Sequence, residues 1–193
     1  MTLPMRLMAA DSVASVAWRN GGGRTRELLT RPGSEAWQLR ISLADIDAHG
    51  PFSAFEGTTR WFAVVAGSGV ALRFGTDVRT LTPDSAPLQF DGAAPPDCEL
   101  LDGPTRDLNL MLRSGTAAMR RADAGVAWTE PFAERGLFTL GAGRLRTGTA
   151  ELALEPFTFV WHLPAGACRF EPATPGRAGY WLGWSAASSS KRV

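Results

Sequence analysis

Hydrophobic and polar residues alternate with a period of two over several short stretches of the chain. Trp37, Leu39, Ile41 and Leu43 fall on one face of an extended run, with Gln38, Arg40 and Ser42 on the other, the pattern of a half-buried strand. Residues 61–66 form a short apolar run closed by Gly67-Ser-Gly69. Residues 70–74, the turn Gly75-Thr-Asp77 and residues 78–82 follow, and together they predict a meander. From Thr105 to Arg113 the alternation returns, with Leu108, Leu110 and Leu112 opposite Asp107, Asn109, Met111 and Arg113. Residues 114–127 are rich in Ala and Arg, and are expected to be a connector with one helical turn. Strand patterns resume at 136–140, 150–154, 157–163 and 178–184. Many short strands separated by turn residues predict an all-β sandwich or barrel. The expected organisation is an N-terminal half over 1–115, a C-terminal half over 116–185 and a polar tail over 186–193.

Composition narrows the class of function. A chain of 193 residues, 45% apolar and 20% charged, fits one domain or two small halves and is too apolar for a disordered protein. The formal net charge of +1 lacks the concentrated positive field that nucleic acid or an anionic membrane would require. No window approaches the roughly 18 apolar residues of a membrane span. The N-terminus lacks a basic start followed by a long apolar core, so no signal peptide is expected. Cys98 and Cys168 read as two reduced, buried thiols, and the expected location is the cytoplasm.

Candidate chemistry is limited first by histidine. His49 and His162 are the only two, so a three-His metal site is arithmetically excluded, and there is no Cys-x-x-Cys pair. Neither a metal nor a cofactor is expected. No glycine-rich stretch continues into Gly-Lys-Ser/Thr, and neither Ser42 nor Ser53 has a histidine in obvious triad order. Three segments stand out instead. Trp18 to Glu27 carries Gly21, Gly22 and Gly23 beside Asn20 and Thr25, so its backbone N–H groups could converge on an anion or could simply form a loop tip. Gly50 to Arg60 makes a compact turn anchored by Phe52 and Phe55. It ends in Arg60, which could offer a planar fork to a carboxylate or form a surface ion pair. In the third segment, Asp107, Asn109 and Met111 form a mixed polar strip that faces either water or a barrel lumen; a solvated face would more often carry Thr, Lys and Glu than Asn and Met, which favours the lumen.

Together with residues 37–42, Phe90-Asp-Gly92 and Gly103 to Met111, these segments resemble the HutD/Ves family, over about residues 5–185. The resemblance implies a cupin-type β-barrel with two cupin-like halves in one chain. HutD members accompany bacterial histidine utilisation and are thought to bind a small acid such as formylglutamate and to limit flux or expression. Ves members are linked to cold or stress response. Carried over by position, the implied ligand-binding residues are Asn20, Gly21, Gly22, Thr25, Arg40, Phe52, Ser53, Arg60, Asp107, Asn109 and Met111. Glu56 departs from the small residue or Pro of many relatives at the rim of the loop.

Three functions are weighed on this basis. The first is a non-enzymatic receptor in which Arg60 pairs with a small carboxylate while Asn20, Ser53 and Asn109 bind its remaining polar atoms. The second is an enzyme with Asp107 as general base beside Arg60. The third is an interaction protein, such as a homodimer, using the apolar area of Trp161, Trp181 and Trp184, although plain core packing is the favoured reading of those tryptophans.

Overall fold

A computed structural model of the chain describes residues 3–148, 150–176 and 178–187. The chain divides into two compact units, residues 10–113 and residues 1–9 with 114–193. In chain order the strands begin with β1 (Arg6–Ala9), β2 (Ser15–Ala17), β3 (Gly23–Arg31), β4 (Leu39–Ile46), β5 (Gly50–Pro51) and β6 (Thr59–Ala66). They continue with β7 (Val70–Phe74), β8 (Asp77–Leu81), β9 (Leu88–Asp91), β10 (Asp97–Leu100), β11 (Thr105–Leu112) and β12 (Thr116–Arg121). The last are β13 (Glu134–Thr139), β14 (Gly143–Thr147), β15 (Ala150–Leu154), β16 (Thr158–Trp161), β17 (Cys168–Pro172) and β18 (Gly179–Ser185). Among the described residues no helix is long and apolar enough to cross a membrane.

The unit of residues 10–113 is a two-sheet sandwich. Its larger sheet has the order β2-β3-β4-β11-β6-β9, and its smaller one β5-β10-β7-β8. Because side chains alternate along a strand, directly paired residues share a face. Arg40, Met111 and Arg60 therefore form one row across β4, β11 and β6, Ser42, Asn109 and Phe62 the next, and Ala44, Asp107 and Val64 the third. This is the inner face, since Phe62 and Val64 pack in one apolar cluster with Val70, Leu72, Leu81 and Cys98. The turn between β6 and β7 depends on Gly67, whose φ of 88° suits glycine and whose missing Cβ leaves room for the Pro104 carbonyl.

The other unit pairs a sheet of order β1-β16-β13-β18-β12 with one of order β15-β14-β17. Between them Leu137, Val160 and Trp181 pack with Leu145, Leu154, Cys168 and Phe170, and Trp128 stacks on Trp181 with ring centres 5.3 Å apart. Both cysteines are free and buried.

Three sequence expectations change. Residues 116–121, expected in a connector, form β12, six residues paired to β18 from Thr116–Ser185 to Arg121–Tyr180. The pairing overrides an Ala-rich composition with weak strand preference of its own. Residues 6–9, expected in the N-terminal half, pair instead with β16, Arg6 opposite Trp161 and Ala9 opposite Thr158. The segment Trp18–Glu27, read as an anion-binding glycine run or a loop tip with Thr25 and Glu27 on an extended run, leads at its third glycine into a nine-residue strand, Gly23–Arg31. Of the expected tail over 186–193, residues 188–193 lie outside the described residues.

Candidate functional site

Arg60 is the second residue of β6. Its side chain points into the sandwich, because it shares a face with Phe62 and Val64, and only 5% of the residue is exposed. One hydrogen bond holds it: Nη2 donates to Asn109 Oδ1 at 2.9 Å, while the buried Nε donates to nothing. Three rings surround the guanidinium, with Cζ 5.2 Å from the centre of Phe52, 5.6 Å from Phe55 and 5.1 Å from Phe90. These contacts stabilise a cation without satisfying its N–H donors. Burial, reinforced by Arg40 and opposed by Asp107, lowers the pKa of Arg60 to about 10, so it remains charged at neutral pH.

Asn109 reaches the opposite way as well. Its Nδ2 donates to Asp107 Oδ2, which makes a chain from Arg60 through Asn109 to Asp107. Arginine can only donate, so the amide oxygen must face Arg60 and the amide nitrogen Asp107. Asp107 is 1% exposed, and burial pushes its carboxyl up to about 8 against the pull of Arg60 and the Asn109 bond, with Asp45 adding to the rise. Near neutrality the chain therefore carries a positive guanidinium and a mostly protonated acid. Cys98, whose thiol is pushed up to about 12 by burial, Asp107 and Glu99, is inert at that pH.

Arg60, Phe52, Asn109, Asp107 and Met111 are thus brought together. Arg40 sits across Met111 from Arg60 and is tied to Glu27 by an ion pair at 3.2 Å. Thr25 lies two strands from Asp107, in the row through Ala44, and its hydroxyl accepts from Trp18 Nε1 at 2.7 Å. Ser53 is exposed. Asn20, Gly21 and Gly22 do not join the group. Gly22 O accepts from the backbone N–H groups of Asp47 and Ala48 just past β4, and Gly23 pairs with Ile46. Ile46 is six residues along β4 from Arg40, roughly 20 Å at strand rise. The glycines serve close packing there: a Cβ on Gly23 would run into the Asp45 carbonyl and the Trp18 ring. Phe55 and Phe90 are site residues beyond those expected. Their signals were the aromatic anchor in the Gly50–Arg60 turn and the Phe90-Asp-Gly92 segment. Phe90 also walls an open depression of about 690 Å³ bounded by Gly57, Thr58 and Asp91.

Trp161, Trp181 and Trp184 are buried, at 2%, 3% and 7% exposure, so they are core and offer no apolar surface to a partner. Among the described residues no three His, Cys, Asp or Glu side chains gather to hold a metal ion.

Comparison with known proteins agrees with this architecture. The HutD family model matches residues 10–170. An uncharacterized 21.2 kDa protein from the hutC 3' region of Pseudomonas putida is 36% identical over 110 residues, 55% of this chain and 57% of that protein. Protein Ves of Cronobacter sakazakii is 35% identical over 97 residues, 50% of this chain and 54% of that protein. The matches thus span about half the length of these relatives. The solved structure of HutD from Pseudomonas fluorescens superposes with a TM-score of 0.81 at 24% identity, covering 96% of this chain and 100% of that one, a likeness of fold alone. The all-β fold is of the cupin type. With its matched residues running from the first turn after β1 into β17, the chain belongs to the HutD family.

Proposed function

We propose that the protein is a metabolite receptor whose ligand is a small carboxylic acid seated against Arg60. In this reading the ligand is a formylglutamate-like intermediate of histidine utilisation in the cytoplasm, and binding regulates that pathway. The observation that carries the reading is a buried guanidinium that uses a single N–H in hydrogen bonding. Burying a cation is costly unless it is paired, and the rings around Arg60 accept none of its N–H donors, which an acceptor from outside the chain would satisfy. A planar carboxylate fits that edge. The comparison with Arg135 sharpens the point. Arg135 is likewise the second residue of a strand, β13, that leads through a Gly-Ala-Gly turn into a hairpin, and it too is buried. Its Nε is without a partner too, yet its Nη1 donates to the carbonyls of Pro164 and Gly166 and its Nη2 to that of Trp128, so the chain itself supplies three acceptors where Arg60 has one. The position of the P. putida relative beside hutC and the HutD name of the P. fluorescens structure support histidine utilisation as the setting.

An enzymatic role with Asp107 as base has less support, because a base must be ionised and this carboxyl is held mostly protonated near neutrality. Calorimetry with formylglutamate, formiminoglutamate, urocanate and glutamate tests the proposal. At least one acid is expected to bind, and Arg60→Gln should weaken it about 10- to 100-fold, the loss of one charge-assisted contact. Absence of heat and of any thermal shift with all four acids would overturn it.

A further inference from the structure

We infer that Asp107 is the positioning residue of the site: it holds Asn109, Asn109 holds Arg60, and the guanidinium edge left free is the one presented to the ligand. The inference rests on the receptor reading for its consequence but on the geometry alone for its substance. Asp107 has one hydrogen bond, from Asn109 Nδ2, and Asn109 passes that constraint to Arg60 through its oxygen. Without an acceptor at position 107 the amide loses one of the two partners that fix which way it turns, and only Arg60 is left to hold it. An amide turned over would present N–H groups to a guanidinium that has only N–H groups of its own. Asp107 is too deep to touch a ligand at the free edge, since it lies two rows along β11 from the Met111–Arg60 row. It acts through its neighbour.

The charged and titratable groups near Asp107 come from each packed strand. They are Arg60 on β6, Arg40 and Asp45 on β4, and Cys98 on β10, with Asn109 the neutral link on β11. Asp45 is committed elsewhere, bonded to Arg26 and Arg106 at 2.6 Å each. Arg60 keeps its charge to about 10 and Cys98 its proton to about 12, so Asp107 is the member of this group that titrates near 8. When it ionises, the new negative charge neutralises the field of Arg60 and repels an incoming carboxylate. By linkage, an anion bound at Arg60 favours the protonated form of Asp107, and affinity falls as pH rises through the titration of Asp107.

Two measurements separate this inference from the receptor reading. In ligand-free protein the ¹⁵N resonance of Arg60 Nε, assigned by its loss in Arg60→Lys, is followed from pH 6 to 9.5. It is expected to titrate with a midpoint near 8 in the native protein. In Asp107→Asn, which still offers an oxygen to Asn109, it should stay at its low-pH position throughout. In Asp107→Leu it should be displaced or broadened at every pH, with the far-ultraviolet circular dichroism unchanged. A resonance that ignores Asp107→Leu, or that titrates unaltered in Asp107→Asn, overturns the inference whether or not any acid binds. Should the Leu variant fail to fold, the Asn titration decides alone. The second measurement is calorimetry with N-formyl-L-glutamate. Native affinity is expected to fall about tenfold between pH 7 and 9. Asp107→Leu should lose at least that much at pH 7, and Asp107→Asn should recover most of the loss and abolish the pH dependence. Binding with no pH dependence in the native protein contradicts the inference. No binding by any protein sinks the receptor reading and leaves the resonance to judge the positioning role.

Discussion

Arg60 and Arg135 show how one residue type can serve opposite ends. Arg135 ties three backbone carbonyls and lies 4.4 Å from the Trp128 ring centre, so its guanidinium is structural. Replacing it by Met strands those carbonyls, and a loss of about 3–5 kcal/mol is expected from removing one side of a buried, charged network. Arg60→Met strands only the Asn109 oxygen and removes a poorly compensated buried cation, so its stability should change by less than about 1 kcal/mol while acid binding disappears. Urea titrations of the two variants check the contrast; equal losses would contradict the division of roles. Asp107 adds a pH signature. Its folded-state pKa, near 8, is raised above that of an unfolded aspartate, so the folded protein binds the extra proton. Its stabilising contribution is then full below about pH 4 and is lost as pH climbs towards 8. Stability measured at pH 5 and 8 should therefore fall more in the native protein than in Asp107→Asn, and a parallel fall in both would refute the titration.

At the scale of elements, period-two alternation was enough to find the strands that build the site. The run from Trp37 to Leu43 anticipated β4, and Thr105 to Arg113 anticipated β11 almost to the residue. The alternation also put Asp107, Asn109 and Met111 on one face, and pairing to β6 then set Arg60 opposite Met111. Alternation alone could not say whether that face met water or a second sheet; Asn109 and Met111, uncommon on a solvated face, leaned towards an enclosed one. The second sheet, β5-β10-β7-β8, decides it by supplying Val70, Leu72 and Cys98 as the other wall. Two elements were illegible for a different reason. Residues 116–121 and the start of β3 are strands because of what they pair with, β18 and β4, and an Ala-rich or Gly-rich run carries no local trace of its partner. The family resemblance groups Asn20, Gly21 and Gly22 with Arg60, whereas the strand register sets Gly23 beside Ile46, six residues along β4 from Arg40. The three-ring enclosure was only half visible, since Phe52, Phe55 and Phe90 come from separate segments that meet at a side chain none of them neighbours in sequence.

For the whole molecule, two units of similar strand succession have diverged in their interiors. One keeps the Arg60–Asn109–Asp107 chain between its sheets; the other stacks Trp128 on Trp181 and ties its buried arginine to backbone carbonyls, although both units hold buried N–H donors without partners. The order of the chain does not respect the order of the units, because β1 belongs to the sheet of the unit that resumes at residue 114. Severing the polypeptide between 113 and 114 would therefore yield unequal products. The N-terminal piece keeps every strand of the unit 10–113 and carries β1 away with it, whereas the piece from 114 onward has lost that outer strand and bares the backbone of β16. A naked edge of that kind recruits foreign strands, so this second piece is expected to precipitate when expressed alone. A synthetic peptide of residues 3–9, added in trans, should restore its solubility as measured by light scattering, and a scrambled peptide should not; equal rescue by both would show that the lost strand was dispensable.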